Sequence, residues 1–484
     1  MATTPATWNA TDGNWFAAGN WDEPNPNQPP PLVHHVPGAS EDVSIPNNSG
    51  ASTPFTVSYN GTDTVNTLAG DATGTLDITG GSLTLANGGA GNSMAIDVGN
   101  GATLSVAAGT LNITGGTYSG TLAGNGTLQF LVGPFNLDAG VSVTVADWVL
   151  GVTLNGTVSH TNLDTNLTYA GDFTLADFSG NHAVLELNSY TLTLSGTATF
   201  DGTIHGPGTV LVTGSSVHGS TGNGAPVVYG GAVLEYAAGS TAVQHLSTSL
   251  GDEVSQTMGT VKIDAGATYT VDQSSSLGSS VATYAIVNNA GALQVSGASG
   301  MSATINAHFT NTGTLTVGSG NTLSLGLGAG GVVNTLGGSI AGAGTLVLGG
   351  TTTLNTSNVT VGALALNGGN GGALLTLGTN LTYGGAFSFA NQFDRLDLND
   401  HGFTLSGASN SLIGNTIDGA GALKVTGTAS IGGNIDIGSG TSSAIIRDAG
   451  AMTQTGNVNL NGTLQIDAGH GYTITTASNI TGFG

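Results

Sequence analysis

From residue 55 onward, apolar side chains fall at every second position in short runs: FTVSY at Phe55, GTLDITGG at Gly74, SLTLAN at Ser82, ATLSVAAG at Ala102 and TLNITGG at Thr110. A period of two belongs to a β-strand with one buried face, because successive side chains of an extended chain point to opposite sides. Gly, Asn and Asp separate the runs at roughly seven- to ten-residue intervals, supplying turn and positive-φ conformations where the chain must change direction. No stretch sustains a 3.6-residue period between capping signals, so helix is expected to be nearly absent.

A longer period overlies the short one. GTLAGNGTLQFLVGPFNLDAGVSVTV from Gly120 matches GSIAGAGTLVLGGTTTLNTSNVTV from Gly338. TNLTYAGDF from Thr165 matches TNLTYGGAF from Thr379, and GTVKIDAGATYTV from Gly259 matches GTLQIDAGHGYTI from Gly462. The distance between copies shrinks from the first match to the last. A drifting offset with register kept within each match points to corner loops that lengthen without disturbing stacked coils. Tandem antiparallel sandwiches are the competing architecture, but they need hairpins and aromatic core anchors, and aromatics make up only 6% of this chain. The cadence therefore predicts an all-β fold: a parallel, right-handed β-solenoid of roughly 22 residues per coil and on the order of 19 coils. Its expected organisation is an amino-terminal cap with a Pro-rich excursion over 1–58, then a solenoid over 59–484 containing an internal duplication, about 98–280 and 310–484.

Three of the four tryptophans, Trp8, Trp15 and Trp21, precede this array. The end of a solenoid is a sheet edge over an open apolar bore, and repeat arrays cover it with an atypical segment. The tryptophans are assigned to that cap. Their spacing of seven and six residues would equally suit a platform for stacking sugar rings. The prolines of DEPNPNQPPPLVHHVPGASEDVSI, which follow, cannot donate to a ladder and predict an extended surface excursion.

Tryptophan, then G-x-W, a Pro-rich stretch, D-V-x-I and TGTLDITGGSLTL together resemble the opening of large bacterial surface and secreted β-strand-repeat proteins. TIDGAGALKVTG at Thr416, with its relatives TLAGNGTLQF, TIHGPGTVLV and SIAGAGTLVL, is similar to the I-x-G-x-G-T-L-x-V-x-G unit of autotransporter-associated repeats and filamentous-haemagglutinin-like adhesins. The resemblance runs along nearly the whole chain and implies an extracellular or bacterial cell-surface setting. It implies a structural or adhesive role, facing a host or matrix surface or a polysaccharide. No autotransporter membrane barrel can be found after residue 428. The start MATTPATWNA has neither a basic n-region nor an apolar h-region, so the usual export signal is not expected here. Type I secretion would suit the scarcity of Lys and Arg.

Charge narrows the partners. With four Lys plus Arg against 28 Asp plus Glu, the net charge is -24, yet only 7% of residues are charged. Phosphate neutralisation needs basic side chains, so nucleic acid is not expected as a partner, and an anionic membrane would repel the chain. No run reaches the ~18 apolar residues of a spanning helix. The absence of cysteine excludes disulfides and thiolate metal sites.

Parallel β-helices also house pectin-type lyases and hydrolases, and glycoside hydrolysis needs two carboxylates facing across the substrate. The GHG at Gly469 lacks the paired aspartates and Arg-x-Lys that would accompany it, and Lys262, Arg395, Lys424 and Arg447 are scattered, so they are assigned to solvated strand positions. Asp264 with Asp467, and Glu186 with Asp397, recur as acids in the two copies. They would attract a hard cation such as calcium, but their apolar-acid-apolar setting makes them outward charges. GGAGNSMAI at Gly88 approaches a calcium nonapeptide but carries Ser93 where aspartate belongs. His34, His35, Glu41 and Asp42 form the one local His-carboxylate cluster. Asn-x-Ser/Thr triplets such as those at Asn112 and Asn380, and Thr-x-Thr pairs, follow from composition. The expectation is a non-enzymatic stalk with no cofactor. No aromatic or proline-rich cover follows the last run, ASNITGFG, so head-to-tail self-association or further chain is expected at that end.

Overall fold

The computed structural model describes residues 5–24, 32–47, 53–151, 159–178, 181–219, 224–252, 254–279, 282–326, 331–438, 444–475 and 478–482. The Pro-rich segment 25–31 lies outside them. The fold is all-β, 57% strand and 2% helix, and its parallel sheets form a β-solenoid of about 18 turns with no barrel. No described helix is long and apolar enough to cross a membrane. Contacts divide the chain into two units, one of residues 1–227 with 231–234, the other of residues 228–230 with 235–484.

In the first unit, alternation becomes stacking. Tyr59, Ile78, Val98, Tyr118, Leu137 and Leu163 occupy successive rungs of one parallel ladder, each fully buried. A second ladder runs through Leu83, Leu104, Leu122 and Val143. The coil from Leu104 to Leu122 is shorter than the one from Leu83 to Leu104, so corners absorb the variation while the rungs stay in register.

Aromatic residues, sparse overall, are not excluded from this bore. Tyr118 and Phe130 stack at 5.3 Å, Phe130 and Phe135 at 4.1 Å, and edge-to-face contacts continue from Phe130 to Trp148 and from Trp148 to Tyr169 and Phe173. A parallel array brings equivalent positions of adjacent coils within strand spacing, about 4.8 Å, which is the range for ring contacts.

The second unit repeats the scheme, with Tyr269, Leu293, Leu315 and Ile340 on one ladder and Ile305, Leu325, Leu348, Leu366 and Phe389 on another. One coil reads Thr322–Leu325, Val333–Leu336, Ser339–Ala341, contributing one strand to each of three parallel sheets before the chain returns to the first at Thr345–Leu348.

The G-x-G unit is a corner. In TIHGPGTVLV and TIDGAGALKV it joins Thr203–His205 to Gly208–Val212 and Thr416–Asp418 to Gly421–Val425. Gly419 and Gly421 hold φ of 77° and 132°, and a Cβ on Gly421 would stand 2.3 Å from the His401 carbonyl oxygen. In the other pair of matches Gly124 and Gly342, at equivalent positions of the two copies, hold φ of 114° and 111°. Around Gly124 the chain stays one bulged strand, Thr121–Phe130, whereas around Gly342 it separates into Ser339–Ala341 and Thr345–Leu348.

Candidate functional site

The amino-terminal segment joins the first coils by strand addition. Pro5–Trp8 pairs parallel with Asp42–Ile45, which pairs with Thr67–Gly70, and Trp21–Pro24 runs antiparallel on the outer side of Pro5–Trp8. Trp8, Trp15 and Trp21 are all fully buried. Their rings meet edge-to-face, Trp8 to Trp21 at 5.0 Å and Trp15 to Trp21 at 4.7 Å, and Trp15 continues onto Tyr59 at 5.5 Å. The Trp21 indole Nε1 donates to the Trp15 carbonyl at 2.7 Å. Covered on their faces, these rings are closed to a stacking sugar.

The nearby His-carboxylate cluster separates into local pairs. His35 Nε2 lies 2.9 Å from Glu41 Oε1, His34 Nδ1 lies 3.1 Å from Asp22 Oδ1, and Asp42 Oδ1 accepts from Asn66 and Thr67 at 2.6 Å each. Among the described residues, no group of three or more His, Cys, Asp or Glu is placed to hold a metal. In GGAGNSMAI, Ser93 Oγ donates to the Gly70 carbonyl and Asn92 to the Asn112 carbonyl, which makes it a corner between coils.

Three of the four basic side chains are not merely solvated; they bridge coils. Lys262 Nζ lies 2.6 Å from Glu235 and 3.0 Å from Asp264, which together raise its pKa. In the later copy Arg447 Nε meets both Asp467 oxygens at 2.7 and 2.9 Å, and this bonding holds the Asp467 carboxyl below its ordinary range. Glu235 and Arg447 occupy matching strand positions, as do Lys262 and Gln465 and Asp264 and Asp467, so the later copy moves the bridge: its base stands at the Glu235 position and meets the counterpart of Asp264, while the Lys262 position is neutral. Glu186 pairs with His205 at 2.5 Å, and Asp397 accepts from the Asn399 amide at 3.0 Å. His470 of the GHG run sits at an exposed corner with Nδ1 3.1 Å from the Gly450 carbonyl.

Arg395 leads to a feature with a different character. A groove of about 530 Å³ opens in the second unit between Gly350, Thr351, Gly371, Gly372, Phe393 and Arg395. Its glycine-rich wall is the loop NGGNGGA, 367–373, and that loop is held from within by Asp394. The buried Asp394 carboxylate accepts from the amides of Gly368, Ala373 and Asn391, each at 2.9 Å. Asn391 Nδ2 also bonds the Gly369 carbonyl. Gly372 takes φ of 68°, and a Cβ there would stand 2.1 Å from the Phe393 carbonyl oxygen. So FDR does two jobs: Asp394 turns inward to fix the wall, while Phe393 and Arg395 line the groove. Phe393 is 57% exposed, more than any other described aromatic side chain. The Arg395 guanidinium, about half exposed, places Nη2 2.6 Å from Oδ2 of the buried Asp418.

Aligning LDL at 396–398 with LEL at 185–187 puts His182, Ala183 and Val184 where the later copy has Phe393, Asp394 and Arg395. The Phe-Asp-Arg trio is thus particular to the later copy. The repeat comparison could have singled the place out, since between the matched TNLTY and LEL/LDL runs the eight residues DFSGNHAV of the earlier copy give way to the five residues NQFDR.

The last coil differs from its earlier counterpart in burial. Ile466 and Ile474 are 46% and 52% exposed, whereas Ile263 and Val271 at the matching positions are 0% and 4% exposed.

Set against family models, curated proteins and solved structures, the chain matches none of them.

Proposed function

We propose that this chain is a structural and adhesive β-solenoid segment of a bacterial surface or secreted protein, working outside the cell as a non-catalytic stalk. The observation that carries the reading is the division of labour along each strand. Inward positions form buried, in-register aliphatic and aromatic ladders such as Tyr59 to Leu163, and outward positions carry Thr, Ser, Asn and Gly. Such a surface is soluble at low charge density and can lengthen coil by coil without enlarging its core. Of the recurring acids, Glu186 and Asp467 are engaged with His205 and Arg447 on adjacent coils, a role that ties coils together. The likeness of its G-x-G corners to those of adhesin repeats supports the same setting.

Immunogold labelling of intact cells that produce the chain is expected to decorate their surface; label restricted to permeabilised cells would overturn the extracellular reading. Incubation with a polysaccharide panel is expected to release no reducing ends or unsaturated products, and sustained release would overturn the non-catalytic one.

A further inference from the structure

We propose that the groove at Phe393 and Arg395 binds a pyranose unit of a neutral polysaccharide. An exposed phenylalanine loses water at no structural cost when an apolar ligand face covers it, and one face of a pyranose ring presents mainly C–H groups. At 57% exposure Phe393, the most exposed of the described aromatic side chains, offers that partner, and in the earlier copy its place is taken by His182, ion-paired with Asp177 at 3.1 Å. Polar recognition comes from Arg395 and Thr351, which line the groove together with Phe393, and from the 367–373 loop, the guanidinium keeping N–H donors beyond the one that meets Asp418. Mixed apolar and polar lining in a volume of about 530 Å³ suits a ligand of one or two sugar rings.

Two observations choose the neutral class. The chain carries a net charge of -24, which repels a polyanion at long range. Among the described lining residues the one cation is already neutralised by Asp418 at 2.6 Å, leaving no net charge to hold a carboxylate or sulfate. The site is also built in advance. Three amides bonded to the buried Asp394 fix the wall, and Gly372 admits the close passage of the Phe393 backbone, so little ordering entropy is left to be lost on binding. The inference is independent of the stalk reading: failure of sugar binding leaves the solenoid argument untouched.

Affinity electrophoresis of the full chain through gels containing β-glucan, galactomannan or polygalacturonate tests the proposal, with saturation-transfer NMR on cellohexaose and mannohexaose as a measurement that needs no variant. At least one neutral polymer is expected to retard the protein, and one hexasaccharide is expected to receive saturation on its ring protons. Phe393→Ala should weaken retardation roughly tenfold, Arg395→Ala several-fold, and Phe393→Tyr should preserve it, all with unchanged circular dichroism. No retardation by either neutral polymer, no saturation transfer to either hexasaccharide, stronger retardation by polygalacturonate, or undiminished binding by Phe393→Ala would each overturn it.

Discussion

Gln244 Oε1 accepts a hydrogen bond from the Tyr269 hydroxyl at 2.6 Å, both side chains lying fully inside the second unit. Gln244 Nε2 then donates to Ser275 Oγ at 3.0 Å and to the Ser276 carbonyl at 2.9 Å. The later copy repeats the arrangement: Tyr472 donates to Gln454 Oε1 at 3.0 Å, and Gln454 Nε2 to the Gly456 carbonyl at 2.8 Å. An amide in an apolar bore is tolerated because it fastens a corner from the inside and leaves none of these polar atoms unmatched.

Gln244→Leu is therefore expected to cost about 2 to 3 kcal/mol, since it strands the Ser276 carbonyl and takes away the Tyr269 acceptor. Tyr269→Phe should cost about 1 kcal/mol. The double variant should lose less than the two single losses together, because the second change removes a group that the first had already left unsatisfied. Urea denaturation measures all three, and strict additivity would show that the pair is not coupled.

At the corners, the expected cost of an added methyl depends on backbone approach as well as on φ. Gly239 has φ of 87° with open space around a would-be Cβ, so Gly239→Ala should cost about 1 to 2 kcal/mol from conformation alone. Gly421→Ala adds a collision with the His401 carbonyl 2.3 Å away and should exceed about 3 kcal/mol. Both lie in the second unit, so one denaturation transition compares them. Equal losses would mean that the G-x-G spacing reflects φ only.

The parallel solenoid was legible because period two and coil-length matches are both direct consequences of stacking: a residue such as Leu83 needs a counterpart like Leu104 above it. Corners were legible where glycine marks them, and where Asn or Asp does, as at Asn188, Asn399 and Asp400, which take positive φ; Ser189 at φ of 73° carried no such mark. The groove was hidden for a related reason. Asp394 reads as one more acid in a polar loop, and only the folded chain brings the amides of Gly368 and Ala373 to it. Reading Arg395 as a solvated strand position likewise missed Asp418, which is a full coil further along the chain yet only one rung away, next to its partner Asp397.

Trp15 joins two groups of rings, Trp21 on one side and Tyr59 on the other, and its amide donates to the Ser58 carbonyl at 2.9 Å. Trp15→Ala should destabilise the first unit by about 3 to 5 kcal/mol through lost burial and the cavity left behind. The damage should concentrate at the first coils, with faster hydrogen exchange over Phe55–Tyr59 and little change in the Leu83 ladder. Unchanged exchange at Phe55–Tyr59 would mean that the indole cluster does not secure that end.

Asp448 occupies an inward rung between Val425 and Ile466, fully buried, with Oδ1 accepting from the Gly450 amide at 3.1 Å and Oδ2 without a partner. The matching residue of the earlier copy is Tyr236, whose ring packs on Tyr269 at 5.4 Å. In its place, Asp448 sets a negative charge near Tyr472, and burial first, then that charge, push the Tyr472 hydroxyl from 10.0 to about 12. A raised folded-state pKa means that stability is whole below pH 10.0 and drains away as pH climbs from there through about 12, because the unfolded chain releases its proton first. Asp448→Asn removes the charge while keeping the size, so Tyr472 should ionise at lower pH and the pH of half-unfolding in alkali should rise. Asp448→Leu should shift it in the same direction and add about 1 to 3 kcal/mol at neutral pH by replacing a half-satisfied buried carboxylate. Phenolate absorbance and urea midpoints followed across the alkaline range check both, and a midpoint that stays fixed or falls in Asp448→Asn would show that the two side chains are not electrostatically linked.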